Sequence, residues 1–190
     1  MDSIGSTSPS QIKHPTPLML LHWGTLLAIV VAVAMVLLRE VIDEKAVRKT
    51  LLGIHQNAGL FVLLFVFGRI IVRMRYRQLV TAIQLPPLLR LAASATHLAL
   101  YGLLLALPIL GFLLANSHGR PVSFLGLFDL PLLIGKNADL GDSLELWHFR
   151  AAVTLGAVVA MHAAAALWHH FVRRDGVLLA MLPATSQNRA

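Results

Sequence analysis

Of the histidines inside the strongly apolar stretches of this chain, four stand out. They are His22 in LMLLHWGTLL, His55 in LLGIHQNAGL, and His148 and His162 in LWHFRAAVTLGAVVAMHAAAALWHH. An ionisable side chain buried in such a setting is costly and marks a functional site by default. The structural alternative for any one of them is a neutral imidazole hydrogen-bonded to a neighbouring helix. Spacing separates the two readings. At about 100° per residue, the step from His148 to His162 is four turns less about 40°, and His169 follows about 20° further round. All three lie on one face. The rise from His148 to His162 is about 21 Å at 1.5 Å per residue, which puts one imidazole near each side of a hydrocarbon layer.

The elements that carry these side chains follow from composition. The 190 residues are 57% hydrophobic and 13% charged, against about 45–50% and about 25% in a soluble domain. The chain therefore belongs in a membrane. Runs of about 20 apolar residues cover roughly 18–38, 51–72, 91–115 and 144–172. Backbone groups in lipid must be satisfied within the segment, so these runs are expected to be helices. The fold class is an all-α membrane protein, a four-transmembrane-helix bundle over 18–172. Residues 1–17 read as a disordered tail and 173–190 as a second tail. The semi-apolar stretch 116–143, broken by Gly and Pro, reads as a cap on the outer surface. Lys and Arg are in modest excess on the side of the two termini, which makes both termini cytoplasmic. The formal charge of +7 fits basic loops against anionic headgroups, and no nucleic-acid motif accompanies it. The absence of cysteine excludes disulfides, thiolate metal sites and cysteine-attached haem.

Depth then pairs the histidines. His22 lies about five residues into the first span and His162 near the matching end of the fourth. His55 lies about five residues into the second span and His148 at the matching start of the fourth. Two depth-matched pairs suit the axial ligands of two b-type haems stacked across the membrane. Bis-His ligation saturates the iron and favours electron transfer over oxygen binding. Gly24, Gly59 and Gly156, near these histidines, supply room for a flat group, or equally ordinary helix packing. His169 and His97, both at the cytoplasmic end, are candidates for a quinone site, with an interfacial role as the alternative. His170 shares that end, and His14 and His118 read as tail and loop residues. Arg150 is placed to hold a haem carboxylate or attract an anion. Arg69 and Arg73 are placed for haem carboxylates or headgroups, unless they snorkel to the surface. Trp23, Trp147 and Trp168 read as an aromatic belt.

The segments LHWGTLL, GIHQNAGLFVLLFVFGRIIVR, THLALYGLLLALPILG, SLELWHFRAAVTLG and MHAAAALWHHFVRRDGVLLAMLP resemble the bacterial cytochrome b561 family of four-helix di-haem membrane cytochromes. The resemblance covers nearly all of the chain after the N-terminal tail. It implies two haem b groups, ligated by His22, His55, His148 and His162, in a bacterial inner-membrane protein. Family members include superoxide:ubiquinone oxidoreductases. For this chain that implies superoxide oxidation at the outer face, where Arg150 and Lys136 would attract the anion, and ubiquinone reduction near the inner face, where His169 matches the tail motif. The sequence departs from the family pattern at WHFRAA. A rival expectation is a membrane-anchor cytochrome b subunit, passing electrons between quinone and a partner dehydrogenase or hydrogenase.

Overall fold

The computed structural model describes residues 15–76 and 86–182. Four long helices account for most of them: α1 (Thr16–Val41), α2 (Lys45–Arg75), α3 (Pro87–Ser117) and α4 (Ala138–Trp168). All four are long and apolar enough to cross a membrane. The end where α1 starts and α4 finishes is here called the base, and the opposite end the crown. Side chains such as Leu27, Leu37, Ile71, Leu98 and Met161 point outward and are exposed. On a water-soluble protein such a surface would drive association. Around a bundle in lipid it is the surface the solvent requires.

The helices associate as two hairpins. α1 lies along α2, α3 lies along α4, and α2 touches α3 over a shorter length. No extended backbone contact joins α4 to α1 or α2 among the described residues. Small residues allow the tight seams. Any Cβ at Gly24 would sit 3.2 Å from the Phe65 ring, and any at Gly68 would sit 3.3 Å from Leu21. Ala28, Val62, Val66, Leu104, Leu107 and Leu155 form the buried core, midway between the ends.

Helix ends differ from the sequence expectation. Every helix runs beyond its apolar stretch, because polar residues at the interface continue the same hydrogen-bond ladder. The clearest case is α4. It starts at Ala138, inside the stretch expected to be a cap, because the Asn137 side chain accepts the Leu140 N–H at 3.0 Å. The cap proper is a short hairpin, Ser123–Phe124 (β1) against Phe128–Asp129 (β2), antiparallel. Asn57 of α2 pins it, donating to the Ser123 carbonyl at 3.0 Å and accepting the Leu125 N–H at 2.8 Å. At the α1–α2 turn, the Arg48 guanidinium donates to the Arg39 and Ile42 carbonyls, which closes off the α1 C-terminus.

At the base, α4 continues as a π-helical turn, His169–Arg173, and the chain then folds back through a 3₁₀ turn at Leu179–Met181. Trp23 donates its indole N–H to the Met181 carbonyl at 2.8 Å, so this returning segment is tied to α1. Residues 173–182, expected to be part of a tail, are therefore structured. His14 and the rest of the N-terminal stretch up to residue 14, residues 77–85, and 183–190 lie outside the described residues.

Candidate functional site

The gap between the two hairpins is bridged at two levels by histidine pairs. At the base, His22 of α1 faces His162 of α4 with ring centroids 6.3 Å apart. At the crown, His55 of α2 faces His148 of α4 at 6.1 Å. Each pair takes one member from each hairpin. A ligating ring nitrogen sits about 2 Å from its metal, with the ring centroid about 1 Å further back, so two imidazoles on opposite sides of one ion have centroids about 6 Å apart. Both pairs have that separation.

The crown pair is also oriented. His55 Nδ1 lies 2.9 Å from the Ala32 carbonyl of α1, and His148 Nδ1 lies 3.1 Å from the Leu107 carbonyl of α3. A carbonyl can only accept, so each Nδ1 carries a proton, which leaves Nε2 as the nitrogen through which either ring would bind a metal. That is the arrangement by which metal-binding histidines are aimed and made more basic. The α3 contact depends on Gly111, a residue that spacing does not single out. A Cβ at position 111 would lie 3.0 Å from His148 Cε1. Its only sequence signal is a glycine inside an otherwise bulky apolar run.

Of the glycines expected to flank the site, Gly59 and Gly156 would have no heavy atom within 4 Å of an added Cβ, so their surfaces leave room for a flat group, whereas Gly24 serves the α1–α2 seam. Among the described residues no three His, Asp, Glu or Cys side chains converge on one point. Each pair would therefore offer a metal two imidazole donors, with no third such side chain among the described residues beside them.

The remaining candidates separate into distinct settings. His97 of α3 stands 5.5 Å from the His162 ring and lines a groove of about 540 Å³ between α2 and α3, with Arg73, Ser94 and Tyr101. His169 turns instead to Asp175, donating from Nδ1 to Oδ2, with Arg173 Nε 3.6 Å from the same oxygen. The Asp175 carboxyl is held below the usual carboxylate range. Burial pushes it up and is the largest single influence, but the hydrogen bonds from His169 and the Val177 N–H, with the charges of His169 and Arg173, together outweigh it. His170 packs edge-on to Phe171, and His118 hydrogen-bonds back to the Leu114 carbonyl at the end of α3. Arg150 and Lys136 are both exposed at the crown. The Arg150 guanidinium rests 5.6 Å from the Trp147 ring centroid.

The model of the prokaryotic cytochrome b561 family matches residues 13–184. The chain belongs to that family. It is 35% identical over 165 residues to cytochrome b561 homolog 1 of Escherichia coli K12, covering 86% of this chain and 93% of that protein. It is 31% identical over 163 residues to the probable superoxide oxidase CybB of Yersinia pestis, covering 86% and 92%. Cytochrome b561 homolog 2 of Escherichia coli K12 is 41% identical over 105 residues, 54% of each chain. Membership makes this a multi-pass membrane protein of electron transport and implies haem b. The paired imidazoles, their separation and the open glycine surfaces fit that group.

Proposed function

We propose that this cytochrome b561 holds two haem b groups, one on His22 and His162 and one on His55 and His148, and carries electrons across a bacterial inner membrane. Superoxide is the donor at the crown and ubiquinone the acceptor at the base, with the base and both termini facing the cytoplasm. The observation that carries the reading is the presence of two opposed imidazole pairs, each about 6 Å between centroids, at two depths of one bundle.

When bound, the haems supply one-electron carriers. The protein's own groups do the rest. The four imidazoles would hold the two irons, a pair to each, and leave no open position for oxygen. The Ala32 and Leu107 carbonyls fix the tautomer of the crown ligands. Exposed Arg150 and Lys136 add positive charge at the crown, which raises the encounter rate of a small anion. At the base, His169, held by Asp175, and His97, in the α2–α3 groove, are groups able to move protons. Two superoxide ions become two dioxygen molecules, and the two electrons, with two protons, convert ubiquinone to ubiquinol. The superoxide assignment is supported by the likeness to the Yersinia protein named a probable superoxide oxidase.

The test is a reduced-minus-oxidised spectrum of the purified protein with haem counted per chain, followed by mixing with a superoxide source and a short-chain ubiquinone. Two low-spin b haems and superoxide-driven quinone reduction are expected. One haem or none would overturn the pairing. Two haems that superoxide does not reduce would leave the electron carrier but remove its donor. Co-purification of a soluble redox subunit would then favour a membrane-anchor role.

A further inference from the structure

Arg69 is a cation deep in α2 with no anion to meet among the described residues. Its depth is fixed twice. As many residues separate His55 from Arg69 on α2 as separate His148 from His162 on α4, and both helices run from crown to base. The preceding residue, Gly68, packs against Leu21 of α1, next to His22. Arg69 is therefore level with the base pair. Its guanidinium does not snorkel outward. It lies 5.3 Å from the Tyr101 ring centroid in the α2–α3 seam, and its Nε is buried with no hydrogen-bond partner among the described residues. The described ion pairs are Arg39–Glu40, His169–Asp175 and Arg173–Asp175, so no described carboxylate answers Arg69. A buried, uncompensated guanidinium is expensive unless an anionic group meets it.

The crown has no such buried, unanswered cation among the described residues. There the imidazoles face two backbone carbonyls, which make the ligands more electron-rich. Its cations are engaged or outward: Arg48 is spent on the Arg39 and Ile42 carbonyls, and Arg150 and Lys136 are exposed.

We infer that Arg69 is the fixed counter-charge of the base-level haem, pairing with its carboxylate edge, and that its charge gives the base haem the greater affinity for an electron. Electron flow from crown to base is thus downhill by construction. A positive charge favours the more reduced, more negative state. This inference rests on the two-haem reading above.

The experiment is a spectroelectrochemical titration of the purified holoprotein, its Arg69→Gln variant and its Arg69→Lys variant. Wild-type protein shows two midpoints. Arg69→Gln lowers the higher one by at least tenfold in the reduction equilibrium, about 59 mV for a one-electron couple, and leaves the lower one in place. Arg69→Lys, which keeps the charge, stays near wild type. Loss of one haem from Arg69→Gln alone, with Arg69→Lys retaining it, is the same charge requirement in its extreme form. An unmoved upper midpoint, an equal shift in both variants, or haem loss from both overturns the inference. Wild-type protein without haem defeats the proposed function instead, before any variant is made.

Discussion

Gly111→Ala tests whether the crown imidazole is aimed by α3. The added Cβ would stand 3.0 Å from His148 Cε1 and 3.4 Å from Nδ1. Carbon atoms rest at about 3.5–4.0 Å, so the ring must retreat by about 0.5–1 Å. The His148 Nδ1 to Leu107 carbonyl distance is 3.1 Å. Retreat by that amount stretches it to about 3.6–4 Å, beyond a hydrogen bond. The imidazole then loses the contact that fixes its tautomer, and its Nε2 moves off the axis towards His55. Loss of such an orienting partner lowers metal affinity by about 10–100-fold, or about 1.4–2.8 kcal/mol. Overpacking adds about 1–3 kcal/mol of strain to the α3–α4 seam. The assay is a titration of haem-depleted protein with haem, followed by absorbance, with bound haem per chain measured after washing. The expected result is one site of unchanged affinity and one weakened by at least tenfold. Gly102→Ala on the same helix is the control, because nothing lies within 4 Å of that position, and it should leave both sites intact. Two unweakened sites in Gly111→Ala would refute the claim that α3 positions His148.

Three further outcomes are expected. His22→Leu and His55→Leu each leave one haem per chain, and the two residual spectra differ because the surviving pairs sit in different surroundings; haem quantitation and low-temperature spectra check this. Asp175 has a depressed carboxyl, so the stability it lends the returning segment is present above the usual carboxylate pKa of about 4 and fades as pH falls through its lower folded value. Limited proteolysis should show the 169–182 segment protected at pH 5–7 and released in more acid solution, while Asp175→Asn releases it at neutral pH. Arg150→Glu combined with Lys136→Glu slows superoxide-driven haem reduction several-fold at low ionic strength. The deficit should shrink in about 0.5 M salt, because the attraction acts through solvent, and the rate of haem reoxidation by quinone should not change.

The bundle is legible in the sequence because lipid leaves the backbone few choices, and apolar length alone locates the spans. The pairing of His22 with His162 and His55 with His148 is legible because depth is linear in residue number along a helix. What the sequence hides are contacts made by groups every residue has. The Ala32 and Leu107 carbonyls that meet the crown imidazoles have no signature in residue type. Gly111 differs from Gly24 only in what it faces, which is set by helix rotation rather than spacing. The start of α4 escapes the apolar pattern because Ala138–Ser143 is polar, and a helix crossing the interface stops being apolar before it stops being helical. The folded segment after Arg173 depends on a long-range indole bond from Trp23, which local pattern cannot reveal. His97 and His169 both read as base-end residues, yet His97 stands beside His162, while His169, seven residues further along α4, binds its own following turn.

The division into two hairpins bears on how the protein is made. As α1 and α2 leave the ribosome they hold His22 and His55, one half of each pair, and neither half is a site. α3 and α4 bring His148 and His162 later. On the proposed ligation no haem would be gripped from both sides until the last helix has entered the bilayer, so the chain would not trap its pigment on an unfinished scaffold. The haems would then act as the bolts that join two separately inserted halves. Pieces ending at residue 76 and starting at residue 86, made in the same cell, should stay colourless apart and turn red on meeting.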